Sequence, residues 1–150
     1  SLQQPGEGIM KPTRNNLTKL LVLAGMVCAV LGTAGNLAHA GTLGLHIGSQ
    51  HLPAQQYNNF NPGAYYIHDN GATVGTYYNS ERRQSVYAGW TWDSGPWRLQ
   101  VGAITGYERA KVLPVVMPSV ALGHGFRLVV LPKVERNGSS VIHFMWETKL

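Results

Sequence analysis

From Gly41 to the C-terminus, apolar residues alternate with polar ones in short runs, and the runs are separated by clusters of Gly, Pro, Asn and Asp. No long stretch of that region repeats with the 3.6-residue period of a helix. A two-residue period interrupted by turn residues is the signature of antiparallel strands joined by hairpins. It therefore excludes helical bundles and βαβ folds. Eight strands are expected: Gly41 to His51, Gly63 to Ile67, Ala72 to Tyr78, Ser85 to Trp92, Trp97 to Thr105, Val112 to Leu122, Phe126 to Leu131 and Ser139 to Thr148.

The connections alternate in length. Asp69-Asn70-Gly71, Asp93-Ser94-Gly95-Pro96 and Gly123-His124-Gly125 are tight, whereas 52–62, 79–84, 106–111 and 132–138 are longer. Short turns on one rim and long loops on the other belong to membrane-spanning barrels, and eight strands of about ten residues suit a chain of this length. Trp90, Trp92, Trp97 and Trp146 gather near one strand end, as an interfacial girdle does. In the last strand Ile142, Phe144, Trp146 and Leu150 share one face, with Val141, His143, Met145, Glu147 and Lys149 on the other. The expected fold class is all-β, an eight-stranded antiparallel up-and-down transmembrane barrel. A soluble lipocalin-like barrel is the alternative with the same alternation.

The region before Gly41 reads differently. Residues 1–9 have no pattern and are taken as an artefact or upstream residues. Met10 begins a basic stretch with Lys11, Arg14 and Lys19, an apolar run from Leu20 to Leu31, and the small-residue pair Ala38 and Ala40. This is the plan of a cleaved signal peptide over 10–40, and the 12-residue apolar run is shorter than the roughly 20 residues of a spanning helix. The expected location is the bacterial outer membrane, with 41–150 a single barrel domain. Cys28, the only cysteine, would leave with the leader, so no disulfide is available to the barrel.

Removing the three leader cations leaves nine of the twelve basic residues, and six of them, Arg82, Arg83, Arg109, Lys111, Lys133 and Arg136, fall in the long loops. With the termini periplasmic, those loops form a basic outer rim. Arg82, Arg83, Arg109 and Lys111 are candidate ligands for lipid phosphates. Pro114 and Pro118 lie within one expected strand and lack the N–H that joins a ladder. Either the strand starts after Pro118, or the wall is weakened there into a lateral opening for a lipid chain. The histidines His46, His51, His68, His124 and His143 form no tight ligand pair and lack an accompanying Cys or carboxylate cluster, so no metal and no other cofactor is expected. Nucleotide-binding motifs are absent, and Asn137-Gly138-Ser139 reads as a turn.

The segment Asn79-Ser80-Glu81-Arg82-Arg83-Gln84-Ser85-Val86-Tyr87-Ala88-Gly89-Trp90-Thr91-Trp92 resembles the stretch of the outer-membrane lipid A palmitoyltransferase family that runs from its Asp-Ser pair to Ala-Gly-Tyr-Gly-Trp. The Pro114 and Pro118 pair, the stretch Tyr57 to Gly63 and the ending Val141 to Trp146 are similar to that family as well. The resemblance implies an eight-stranded barrel that moves an acyl chain from phospholipid to lipid A, with a His, an acidic residue and a Ser near the extracellular rim and a lateral lipid gate at prolines. Carried over, the catalytic candidates are Ser80, Asn79 and a histidine, and the gate is Pro114 and Pro118. His46 sits nearer the family's spacing, but the position of His51 at the outer end of its strand, beside the Asn79-Ser80 loop, favours His51. Asn79 stands where the family has Asp, and an amide orients an imidazole without supplying a charge. Thr91 stands where the family has the Gly that sets acyl-pocket depth, which implies a shallower pocket. The family's amphipathic helix before the barrel is missing. Expected partners are phospholipid and lipopolysaccharide, not nucleic acid, and the barrel is expected to be monomeric. The rival expectation is a catalytically silent envelope barrel that binds an amphiphile.

Overall fold

The computed structural model describes residues 41–131 and 138–150. The expected leader, and Lys133 and Arg136 of the basic rim, lie outside the described residues. Eight strands, β1 (Gly41–Leu52), β2 (Phe60–His68), β3 (Ala72–Tyr78), β4 (Gln84–Ser94), β5 (Trp97–Thr105), β6 (Val112–Gly123), β7 (Phe126–Leu131) and β8 (Ser140–Lys149), follow one another around a closed antiparallel barrel. Each lies within three residues of its expected bounds. Closure comes from β8 pairing with β1, Thr42 opposite Lys149 through Leu52 opposite Ser140.

The outer wall is largely apolar, and the lumen mixes polar side chains with a buried cluster of Tyr65, Ile67, Tyr87, Ile104, Val129 and Met145. Outward positions carry Val74, Val86, Leu99, Val101, Val116 and Val130, all exposed, while Thr73, Thr76, Thr91, Arg98, Gln100, Ser119 and Arg127 are buried in the lumen. Trp92 and Trp97 stand outside beside the β4–β5 turn, opposite Leu99 and Ser94 respectively. Inside, tyrosines pack over glycines of the neighbouring strand: Gly44 opposes Tyr65, Gly63 opposes Tyr77 and Gly75 opposes Tyr87. A Cβ at Gly44 or Gly75 would fall within the facing ring, so these two glycines are what allow the Tyr65 and Tyr87 phenols into a narrow lumen.

The short-turn end is closed by ions. The Arg98 guanidinium binds Asp93 through two hydrogen bonds of 2.6 and 2.9 Å and donates to Glu147 at 2.6 Å. Glu147 also accepts from Arg127 at 3.2 Å and from the Tyr65 hydroxyl at 2.9 Å. Two cations, from β5 and β7, therefore share two carboxylates, from β4 and β8, so each buried charge is both paired and hydrogen-bonded. The lumen is filled at this end rather than open as a pore.

Strand β6 runs without a break from Val112 and includes both prolines, so the expectation that it begins only after Pro118 is not met. Ala121 donates its N–H to Pro96 on the β5 side. Because N–H groups alternate sides along a strand, Pro114 and Pro118, of opposite parity, turn their N-positions toward β7. There the β6–β7 ladder ends, at Ser119 opposite Val129. Val130 and Leu131 still pair with Ile142 and Val141 of β8, yet among the described residues β6 from Val112 to Pro118 pairs with β5 alone.

Candidate functional site

The long-loop end of the lumen holds a cavity of about 90 Å³ lined on one side by His46, Ser49, His51, Asn61, Tyr77, Ser80, Tyr107 and His143, and on the other by Met117, Val129, Leu131 and Val141. The apolar half belongs to β6, β7 and β8 and adjoins the part of β6 that, among the described residues, pairs with β5 alone. The polar half faces it.

His51 reaches this cavity because of a bulge. Between His46 and Gly48, β1 advances two residues while β8 advances one, from Met145 to Phe144. Unbroken alternation from the buried His46 would turn a residue five positions on toward the outside. With Ile47 as the extra residue, His46 and His51 both point inward, 5% and 4% exposed.

The His51 ring stacks on Tyr57 with centroids 4.6 Å apart, and its Nδ1 lies 2.7 Å from Oδ1 of Asn59. An amide oxygen only accepts, so Nδ1 carries the proton and donates it. That leaves Nε2 with a lone pair, which is the form of a general base. Asn59 is held in the β1–β2 loop where its own carbonyl accepts from the Ser49 N–H at 2.8 Å.

Asn79 does not fill the role of orienting this histidine. Its side chain is spent on its own loop and on the neighbouring one: Oδ1 accepts from the N–H groups of Glu81 (2.9 Å) and Arg83 (3.0 Å), and Nδ2 donates to Ser85 Oγ and to the Gly106 carbonyl in the β5–β6 loop, both at 2.9 Å. An Asn beginning a turn commonly closes it in this way. The turn then presents Ser80, whose hydroxyl has no hydrogen-bond partner among the described residues, to the cavity. Ser80 and His51 line one space but form no hydrogen bond with each other.

The alternative histidine, His46, sits deeper on the cavity floor. Its Nδ1 is 2.8 Å from Nε2 of His143 and its Nε2 is 2.8 Å from the Tyr87 hydroxyl, so both ring nitrogens are engaged. Among the described residues no group of three or more His, Cys, Asp or Glu is placed to hold a metal.

Thr91 is at the other end of the barrel, its hydroxyl 2.7 Å from that of Thr73, in a recess lined also by Thr42, His68 and Asp93. The ring layer of Tyr65, Tyr87 and His46 lies between it and the cavity, so Thr91 does not line the cavity. Of the basic loop residues, Arg83 pairs with Glu108 at 2.7 Å and Arg82 reaches the Gln56 carbonyl at 3.4 Å. Arg109 and Lys111 belong to the same rim, in the β5–β6 loop.

Asn59 and Tyr107 were not singled out by sequence reasoning. Asn59 sits in an Asn-rich stretch that reads as loop chemistry, and only the hairpin brings it back to His51. The Tyr107 hydroxyl is 2.7 Å from that of Tyr77, and burial raises its phenol above the ordinary tyrosine value, keeping it protonated at neutral pH. Compared with known proteins, the chain matches no protein-family model, no curated protein and no solved structure.

Proposed function

We propose that the barrel spans a bacterial outer membrane and that its loop-end site cleaves or transfers an acyl ester of a phospholipid or lipopolysaccharide at the outer leaflet. A wall with valines and tryptophans outside and arginines inside supports a lipid surround, since lipid rewards the apolar exterior. The observation that carries the catalytic reading is the Asn59–His51 hydrogen bond, which leaves Nε2 basic in a cavity shared with the unpartnered Ser80 hydroxyl.

Ser80 is the nucleophile, His51 the base and Asn59 the orienting group, with the apolar half of the cavity receiving the first carbons of the chain. The β6 stretch at Pro114 and Pro118, whose N-positions face β7 and lack the ladder N–H, is the side entrance. Arg82, Arg83, Arg109 and Lys111 attract phosphates to the rim. The resemblance to the palmitoyltransferase family points the same way, with Asn59 rather than Asn79 as the histidine's partner.

The test is mass spectrometry of lipids from mixed micelles of phospholipid, lipopolysaccharide and the folded barrel. A released or newly attached acyl chain that disappears in both His51→Ala and Ser80→Ala is the expected outcome. Unchanged lipids with the wild-type protein would overturn the reading. A second reading, a barrel that binds an amphiphile without turnover, is favoured by the small cavity and by the missing hydrogen bond between Ser80 and His51.

A further inference from the structure

The residues flanking Ser80 are bonded to the residues flanking Tyr107. On one side Asn79 Nδ2 donates to the Gly106 carbonyl at 2.9 Å, and on the other the Glu108 N–H donates to Glu81 Oε2, also at 2.9 Å. The Arg83–Glu108 ion pair lies just outside this bracket. Two loops that are distant in sequence are thereby locked so that Ser80 and Tyr107 stand side by side at the cavity.

Several donors around that cavity are already committed. Ser49 Oγ gives its hydrogen to Asn61 Oδ1, and both hydrogens of Asn61 Nδ2 go to the carbonyls of Asn58 and Tyr78. His51 Nδ1 is committed to Asn59, and His46 is engaged at both nitrogens. The Tyr77 and Tyr107 hydroxyls share a single hydrogen bond of 2.7 Å, although each carries a hydrogen. One O–H of the pair is therefore surplus, and it lies beside the proposed nucleophile.

We propose that the Tyr77–Tyr107 hydroxyl pair is the oxyanion donor of this site, with Tyr107 the catalytic residue that hydrogen-bonds the carbonyl oxygen of a carboxylic ester. The proposal rests on the acyl-transfer reading above. As Ser80 Oγ bonds to the carbonyl carbon, its proton passes to His51 Nε2 and the C=O π pair moves onto oxygen, where Tyr107 donates to it. Collapse re-forms the C=O bond and expels the alcohol, which takes the proton from His51. Water or an acceptor hydroxyl then repeats the sequence on the acyl-Ser80 ester. A preorganised donor of this kind matters most where charge develops, so its loss falls on kcat.

The test is hydrolysis of p-nitrophenyl butyrate by the full barrel in detergent, together with the rate at which a fluorophosphonate labels Ser80. Tyr107→Phe keeps the ring and removes only the hydroxyl. Its kcat is expected to fall about 100-fold, with KM changed by less than about 3-fold and labelling slowed in parallel. Tyr77→Phe, expected to lower kcat by a smaller factor of about 5, supplies a second variant should Tyr107→Phe not fold. An unaltered kcat in the folded Tyr107→Phe protein, or in Tyr77→Phe if that alone folds, or a rise in KM alone, would overturn the donor role while leaving the reaction standing. Absence of Ser80-dependent turnover and labelling in the wild type would remove both.

Discussion

Nδ1 of His51 lies 2.7 Å from Oδ1 of Asn59, eight residues away across the β1–β2 loop, and this one contact decides which tautomer faces the lumen. Removing the acceptor in Asn59→Ala lets the ring rotate or exchange tautomers. A loss of about 10–100-fold in kcat is expected, with the fold intact. Kinetics on a short-chain ester check it, and wild-type kcat in Asn59→Ala would show that the contact is only structural.

Asn79 uses all four of its hydrogen-bonding positions inside the β3–β4 loop and toward Gly106. Asn79→Asp keeps the two acceptors but sets a carboxylate oxygen against the Gly106 carbonyl. We expect this variant to lose about 1–3 kcal/mol in urea unfolding and to gain no activity. A gain of acyl transfer would instead restore the orienting role that sequence resemblance assigns to this position.

At the other end of the lumen, Glu147 joins Arg98 and Arg127. Glu147→Ala leaves two buried guanidinium groups short of a counter-charge, and the expected loss is about 3–5 kcal/mol. Equilibrium unfolding in lipid vesicles measures it.

Val101 and Val116 face each other on the outer wall between β5 and β6. If the wall meets hydrocarbon, Val101→Arg loses about 2–4 kcal/mol, whereas an exposed position in water tolerates the change to within about 0.5 kcal/mol. The same unfolding measurement separates these outcomes and is the most direct check on the membrane reading.

Pro114→Ala with Pro118→Ala restores two N–H donors toward β7. Pairing between β6 and β7 should extend, so turnover of a bilayer phospholipid is expected to fall about 10-fold while a soluble butyrate ester is cleaved as before. Equal turnover of both substrates would show that lipid does not enter by this route.

Much of the architecture was legible before any coordinates. Gly-containing turns and two-residue alternation placed eight strands, and the faces of β8 followed from His143, Met145 and Glu147 lying opposite Phe144. These are local properties, set by side-chain period and by backbone conformations that Gly, Asn and Asp adopt easily. The proline strand was legible only as an alternative, because composition does not say which neighbour a missing N–H faces.

The candidate site was readable in its members and not in its connections. His51 and Ser80 line one cavity, whereas Asn79 closes its loop and Thr91 lies at the far end. By itself the sequence determined the number of strands, their order and which residues of a strand share a face, since each depends on residues a few positions apart. Tertiary structure alone decided which histidine is engaged and which is available. The extra residue at Ile47 is defined only against the register of β8, and that register is what turns His51 inward to meet Asn59.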